Sequence, residues 1–593
     1  MTDFTPPIQD FRFLIHDVIG LDTVANLPAF AEVSPDLVDA ILEEASKLAS
    51  SVLAPLNRIG DQEGAKLLDD GTVRTPTGWK EAYAQFCEGG WQGISAPETE
   101  GGMGLPILLG AAVAEMWHAS NMAFALCPML TAGAIEALTI HGSDRQRALY
   151  LSRMVSGQWT GTMNLTEPQA GSDLSKVRSL AVPQKDGTYA ITGQKIFITY
   201  GDHEMTENIV HLVLARTPDA PDGVKGISLF IVPKFLVSET GEIGPRNDVS
   251  CVSLEHKLGI HASPTAVLSF GDQGGATGYL VGEEGKGLAC MFTMMNNARL
   301  AVGQQGVAIS ERAYQQAVDY SQQRKQGKSL TIDDAPIIMH GDVQRMLMRI
   351  RSSTEAARAL SLYAATQLDL AHHQPDKSQR GAAQARADLL IPLVKAWSTD
   401  LGVENASLGV QVHGGVGFIE ETGAAQHLRD ARIAPIYEGT NGIQALDFIG
   451  RKVLRDQANA LNILITEARD TVKTALSGDQ NGTVKTAARQ VQNALEQLSE
   501  STNIVLDRCS SDVAMAQALG SPYLRQAALC VSGWLMLRAL MTASSSPEAT
   551  DFLSGKVKSC QFFFSQLLPE AAFMAAQIAN CSESELHEPQ PLF

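Results

Sequence analysis

Between about residues 156 and 283 the hydrophobic pattern of this chain shortens from a helical period to that of strands. Beyond 284 it lengthens again. Segments 188–198, 209–216, 226–233 and 266–270 are short and rich in β-branched and aromatic residues. Turn signals such as Lys185-Asp186-Gly187 separate them. They predict an antiparallel β domain and not a run of βαβ units. On either side, apolar residues recur at spacings of three and four: 35–53 before, and 287–324, 342–372, 382–412 and 442–454 after. Segment 111–122 is Ala-rich, while 61–78 and 98–106 read as irregular breaks. The last stretch is helical too, punctuated at 477–482, 520–522 and 544–547. A chain of 593 residues exceeds what one core can hold. The expected fold is multidomain α+β: an N-terminal helical domain (1–155), a middle antiparallel β domain (156–283), a C-terminal helical bundle (284–455) and an extra C-terminal helical domain (456–593).

Charge and cysteine usage exclude some classes. A net charge of −19 argues against sequence-independent nucleic-acid binding, which needs Lys and Arg to neutralise phosphates. Eight scattered cysteines, with no CxxC and no His pair at metal-ligand spacing, predict reduced thiols in a cytoplasmic protein and no metal site. The polar, proline-containing start shows no signal peptide. The apolar run 122–140 contains Pro128, Gly133 and Glu136, so it predicts core helices and no integral membrane segment.

Chemistry concentrates in a few loops. In Ile436-Tyr437-Glu438-Gly439-Thr440-Asn441-Gly442-Ile443-Gln444 a carboxylate lies on a tight loop between two helix-like segments. Pro435 closes the first segment, and Thr440 or Asn441 can cap the second. Glu438 in apolar surroundings is a candidate general base with a raised pKa. The alternative is an acidic residue favouring the next helix dipole. Met163-Asn164-Leu165-Thr166-Glu167-Pro168-Gln169-Ala170-Gly171-Ser172-Asp173 ends in small residues whose backbone N–H groups and hydroxyls can cradle a flat ring or a phosphate, or form an ordinary loop. Phe197, between Ile196 and Ile198, is either sheet core or packing for an aromatic cofactor. Arg299 and Arg324 are either ordinary solvated surface charges or candidate anchors for pyrophosphate or a phosphorylated arm. The glycines of Gln411-Val412-His413-Gly414-Gly415-Val416-Gly417-Phe418 permit close backbone approach but form no Rossmann fingerprint. His413 reads as a structural hydrogen-bonding residue.

Together these segments resemble the acyl-CoA dehydrogenase family. Thr166-Glu167-Pro168-Gln169-Ala170-Gly171-Ser172-Asp173, Lys195-Ile196-Phe197-Ile198-Thr199, Glu255-His256-Lys257-Leu258-Gly259-Ile260, Arg324-Lys325-Gln326-Gly327, the 411–417 loop and Tyr437-Glu438-Gly439-Thr440 stand in family order. The resemblance covers roughly residues 40–455. It implies FAD between the β domain and the bundle. Met163, Leu165, Thr166, Gly171 and Ser172 would contact flavin, and Ser172 also the substrate's pantetheine arm. Phe197, Ile198 and Thr199 would lie beside the isoalloxazine, with Phe where many relatives carry Trp. Arg324, Gln411 and Gly415 would hold the FAD of a neighbouring subunit, and Thr440 the FAD of its own. Arg299 and Gly439 would sit near acyl-CoA. Asn296 stands where several relatives use an aspartate for the CoA adenine, and Gly442 replaces a Gln of some members.

The implied reaction has Glu438 take the α-proton while the β-hydrogen leaves as hydride to flavin N5. The product is a trans-2-enoyl-CoA, and electrons pass to an electron-transferring flavoprotein. The C-terminal extension resembles that of a longer subfamily of bacterial fatty-acyl-CoA dehydrogenases and 3-methylmercaptopropionyl-CoA dehydrogenases, as do Phe4-Thr5-Pro6-Pro7-Ile8-Gln9-Asp10-Phe11-Arg12-Phe13 and residues 417–423. A short or medium acyl chain, or 3-methylmercaptopropionyl-CoA, is favoured. The extension is expected to cover a surface that shorter relatives use in tetramers, leaving a homodimer. Competing readings are an acyl-CoA oxidase that uses oxygen and a catalytically idle relative that binds DNA.

Overall fold

The computed structural model describes residues 4–330, 332–477, 481–510, 512–547 and 550–582. Residues 478–480, in the turn expected at 477–482, lie outside the described residues. The chain divides into two compact units. One comprises Lys47–Leu105 and Ser120–Ala298; the other comprises Met1–Ser46, Pro106–Ala119 and Arg299–Phe593.

The first unit carries an eight-stranded sheet: β1 (Trp159–Asn164), β2 (Leu180–Pro183), β3 (Tyr189–Thr199), β4 (Asn208–Arg216), β5 (Ile227–Pro233), β6 (Val249–Leu254), β7 (Thr265–Phe270) and β8 (Ala276–Val281). Its order is β6-β7-β3-β8-β5-β4-β1, with β2 pairing to β3 and β4. Pairing is antiparallel except at two places. Strand β1 runs parallel to β4 from Trp159↔Asn208 to Asn164↔Val213, and one parallel pair joins Leu180 to Arg216. Strands β4 and β5 are nearly continuous apolar runs because both of their faces are buried.

Strand β1 escaped the sequence pattern for a related reason. All six of its residues are buried, so nothing alternates. Its two threonine hydroxyls are satisfied internally: Thr160 Oγ1 lies 2.9 Å from His203 Nε2, and Thr162 Oγ1 2.7 Å from His211 Nδ1. The strand packs tightly on a long helix, Met122–His141. A Cβ at Gly161 would fall 2.5 Å from the Ala134 methyl, and the Gly161 N–H donates to Thr131 Oγ1 at 3.0 Å. The expected break at 61–78 contains a small ladder, Lys66–Leu67 with Val73–Arg74. Asp70 and Gly71 turn it, with Thr72 N–H donating to Asp70 Oδ1; two-residue strands are too short to show a period.

Besides the helices of its N-terminal segment, the second unit contains α1 (Ile107–Ser120), α2 (Gly287–Gln323, from Arg299 onward), α3 (Gly341–His373), α4 (Lys377–His413), α5 (Ala424–Ala431) and α6 (Asn441–Leu446). A π-helical turn, Asp447–Leu454, continues α6. The C-terminal part adds α7 (Asn459–Ser477), α8 (Gly482–Cys509), α9 (Val513–Ser545), α10 (Asp551–Phe562) and α11 (Glu570–Asn580). Asp369 on α3 caps α1, accepting the N–H groups of Ile107 at 2.7 Å and Leu108 at 2.9 Å. Buried ions tie the N-terminal segment and the extension to the bundle. Arg358 donates to Asp10 (2.6 Å), Glu115 (2.6 Å) and Glu311 (2.8 Å), while Lys556 on α10 donates to Asp10 and reaches Glu355 at 2.9 Å.

Two helices, Met122–His141 and Val513–Ser545, are long and apolar enough to cross a membrane. Each buries 78% of its most apolar window inside the protein, which is the behaviour of core helices.

Candidate active site

Helix α5 stops at Ala431, and Pro435 and Gly439 leave no helical continuation before α6. Thr440 caps α6, its Oγ1 accepting the Ile443 N–H at 3.2 Å. Between these helices Glu438 and Gly439 adopt left-handed backbone, with φ of +56° and +83°. For a glutamate this conformation costs on the order of 1 kcal/mol, so the surroundings must hold it. They do so from both edges. Gln444 Nε2 donates to the Glu438 and Gly439 carbonyls, each at 3.2 Å. The Asn441 N–H closes the turn on Pro435 O at 3.0 Å, and the Tyr437 hydroxyl donates to Gln305.

Burial pushes the Glu438 carboxyl up to about 7, against the lowering influence of Arg299 and Lys395. Arg299, buried on α2, forms an ion pair with Asp447 at 3.4 Å. The helical unit thus gathers Glu438, Gly439, Thr440 and Arg299. Lys395, Asn441, Gln444 and Gln305 belong to the same cluster; Asn441 and Gln444 lie in the 436–444 run, where Asn441 reads only as a possible cap, and no motif points to Lys395 or Gln305. Lys395 and Gln305 lie in mid-helix, where the sequence gives no sign of which face meets the loop.

Arg324, Gln411 and Gly415 lie in the same unit but on its surface. Arg324 follows α2, Gln411 is in the last turn of α4, and Gly415 is in the 3-10 turn Gly414–Phe418. His413 is buried instead, with Nδ1 2.7 Å from Gly409 O and its ring stacked on Tyr320.

The β unit builds a second cluster. Glu167 anchors the 163–173 loop: its carboxylate accepts the N–H groups of Arg178 (2.7 Å) and Ser179 (3.0 Å), the Ser179 hydroxyl (2.6 Å) and the buried Lys195 ammonium (2.8 Å). Lys195 also donates to Leu165 O at 3.1 Å, and the Ile196 N–H donates to Thr166 O at 2.9 Å. The loop is therefore pinned along β3. There Ile196 and Phe197 stand opposite the single residue Val267, a bulge of the kind that re-aims side chains beside functional sites. Phe197 takes φ +60°, and its side chain is turned out, 59% exposed. Met163 and Leu165 are buried, Thr166 and Thr199 half-buried, and Gly171 and Ser172 exposed. Ile198 faces the sheet core, which leaves only its backbone for a ligand at this surface. Asn296, half-buried, belongs to this unit through the start of α2.

Four family models match the chain in order: the acyl-CoA dehydrogenase N-terminal domain over residues 38–158, the middle domain over 162–273 and the C-terminal domain over 285–454, then the acetyl-CoA dehydrogenase C-terminal-like model over 464–587. A 3-methylmercaptopropionyl-CoA dehydrogenase of Ruegeria pomeroyi is 48% identical over 589 residues, 98% of this chain and 99% of that protein. The chain belongs to the acyl-CoA dehydrogenase family. Among solved structures, Caenorhabditis elegans ACDH-11 in complex with C11-CoA superposes with a TM-score of 0.78 at 21% identity, covering 96% of this chain and 93% of that one. An acyl-CoA dehydrogenase from Bacillus anthracis complexed with FAD gives 0.75 at 22% identity, covering 95% and 91%. At those identities they establish the acyl-CoA dehydrogenase fold.

The residues present fit a flavin. At Gly171 a Cβ would meet nothing within 4 Å, so the loop borders open space there. On β3, along which the start of this loop is pinned, the exposed Phe197 ring offers packing for a flat heterocycle, and Thr166, Ser172 and Thr199 offer hydroxyls for its polar edge.

Proposed function

We propose that this protein catalyses the α,β-dehydrogenation of an acyl-CoA thioester to the trans-2-enoyl-CoA, with FAD as cofactor and Glu438 as the base. The observation that carries the reading is Glu438 itself: a left-handed glutamate held by its neighbours, its carboxyl raised to about 7 by burial. Membership of the acyl-CoA dehydrogenase family supports the same reaction.

Met163, Leu165, Thr166, Gly171, Ser172, Phe197, Ile198 and Thr199 would hold the flavin, with Ile198 acting through its backbone, and Thr440 would contact FAD as well. FAD, when bound, supplies the hydride acceptor and electron sink. Glu438 accepts the α-proton of the substrate, and its backbone N–H polarises the thioester carbonyl, which makes that proton acidic enough to remove. Arg299 and Gly439 border the acyl-CoA beside Glu438, and Ser172 and Asn296 serve its longer arm.

The preferred substrate is 3-methylmercaptopropionyl-CoA or a short to medium acyl-CoA, supported by the full-length similarity to the Ruegeria enzyme. Electrons leave to an electron-transferring flavoprotein. A homodimer is supported by the surface around Arg324, Gln411 and Gly415, where Val416, Phe418 and Ile419 are also exposed, Phe418 by 84%. Eight unpaired cysteines suit a cytoplasmic setting. The family matches support four functional segments, 1–155, 156–283, 284–455 and 456–593.

The test is a dye-coupled assay of kcat/KM over a panel from butanoyl-CoA to hexadecanoyl-CoA, with 3-methylmercaptopropionyl-CoA included. Turnover highest on the methylthio or short to medium substrates is expected. A FAD-loaded protein inert toward every acyl-CoA would refute the reading.

A further inference from the structure

Beneath the Glu438 loop the helical unit buries a charge to which the reaction above gives no role. Lys395 sits in the middle of α4 with no exposed surface. Its ammonium donates to Asn441 Oδ1 at 2.9 Å. Asn441 lies three residues beyond Glu438, and its amide donates in turn to the Ala396 carbonyl (3.0 Å), Thr399 Oγ1 (3.0 Å) and Asp400 Oδ1 (2.7 Å). Because the Asn441 backbone also closes on Pro435, this one residue fastens both ends of the 435–441 loop to α4.

We propose that Lys395 is a positioning residue for Glu438: its buried ammonium holds Asn441, and with it the loop that carries the carboxyl, and places a positive charge beneath that loop. This inference rests on the reading of Glu438 as the base. Three charged side chains act on Lys395: Glu438 and Asp400 favour its charged form, and Arg299 opposes it. Arg299 is itself paired with Asp447 and lies near Arg451. Asp400 is held by Asn441 and influenced by Arg525 and Glu404. Tyr437, next to Glu438, is engaged by Gln305.

Burial pushes Glu438 up to about 7 and Lys395 down to about 7, while each favours the charged form of the other. An apolar side chain in place of the ammonium would leave the carboxyl protonated at neutral pH, unable to act as a base. Lys395 thus supplies two things at once, a hydrogen bond that sets where the carboxyl sits and a charge that sets when it ionises.

Substitution separates the two. Lys395→Met removes both, Lys395→Gln keeps a donor for Asn441 without the charge, and Lys395→Arg keeps the charge. Two quantities are measured against pH: the rate of anaerobic flavin bleaching by acyl-CoA, and the ionisation of the Glu438 carboxyl by difference infrared spectroscopy against Glu438→Gln, which needs no substrate. In Lys395→Met and Lys395→Gln the midpoint should rise from near 7 by about one pH unit. Bleaching should slow roughly fivefold at pH 7 and recover at higher pH. Lys395→Arg should return the midpoint toward 7. Should Lys395→Met fail to fold, Lys395→Gln decides alone.

A lower melting temperature and a uniformly slower rate, with the midpoint unmoved in both readouts, would make Lys395 merely structural and overturn the proposal. If the native protein is bleached by no acyl-CoA, the functional reading fails. The infrared midpoint still decides this one: movement upholds it, and no movement overturns it.

Discussion

Glu167 offers the sharpest test of how the flavin-facing loop is held. Contacts with Lys195, Ser179 and the Arg178 N–H hold its carboxyl at about 2, below an ordinary 4.5, although burial works the other way. Its stabilising share is therefore complete above pH 4.5 and is lost as pH falls through about 2. That difference corresponds to about 3 kcal/mol. Burial meanwhile lowers Lys195 from 10.5 to about 8, even with Glu167 beside it. The ammonium's cost is of similar size, present below about 8 and gone above 10.5. Burial opposes the attraction within the pair, and what the pair contributes is the position of the loop.

Removing one partner is another matter. Glu167→Gln leaves the Lys195 ammonium buried without its counter-charge, and should destabilise the β unit by roughly 3–5 kcal/mol. In scanning calorimetry this appears as a fall of roughly 10 °C in that unit's melting temperature. Flavin content, read from the absorbance of the purified protein, should fall with it. The double variant Glu167→Gln/Lys195→Met should regain most of the melting temperature but not the flavin, because Leu165 O loses its donor. A single variant that melts like the native protein and keeps its full flavin would refute the reasoning.

Glu438 must be deprotonated to act, so the rate of flavin reduction should rise with pH through about 7 and then level off, as stopped-flow measurement would show. Gly439→Ala would force a side chain into a φ of +83° with its Cβ 2.9 Å from Gln444 Nε2, and should cost about 1–2 kcal/mol, a tenfold or larger drop in kcat with FAD retained. Phe197→Gly relieves a strained backbone while removing an exposed ring; chemical denaturation should show stability held or raised by about 1 kcal/mol and flavin affinity reduced. Lys556→Met leaves Asp10 to Arg358 and Glu355 to Arg351 in the helical unit, and should destabilise that unit by roughly 2–3 kcal/mol in urea unfolding.

The long amphipathic helices were legible because burial on one side leaves a period: the segments expected at 287–324, 342–372 and 382–412 differ from the observed ends by five residues at most. Strands were legible where β-branched runs met turn signals, as in β4 and β5. They were not where both faces are buried and small polar residues interrupt the apolar run, as in β1. The Thr440 cap and the glycine after Glu438 were readable as local chemistry. Lys395 and Gln444 were not, since their roles depend on which helix face meets the loop. Nor could the sequence show that Phe197 takes a left-handed backbone at a bulge: that follows from pairing with β7, a strand nearly 70 residues away in the chain.

The most direct test of the central claim is anaerobic single-turnover mixing of the FAD-loaded protein with acyl-CoA, native beside Glu438→Gln at equal flavin content. Rapid bleaching of the native flavin, slowed by several orders of magnitude in the variant, is the predicted result. Equal bleaching in both would mean that Glu438 is not the base, and would contradict the account.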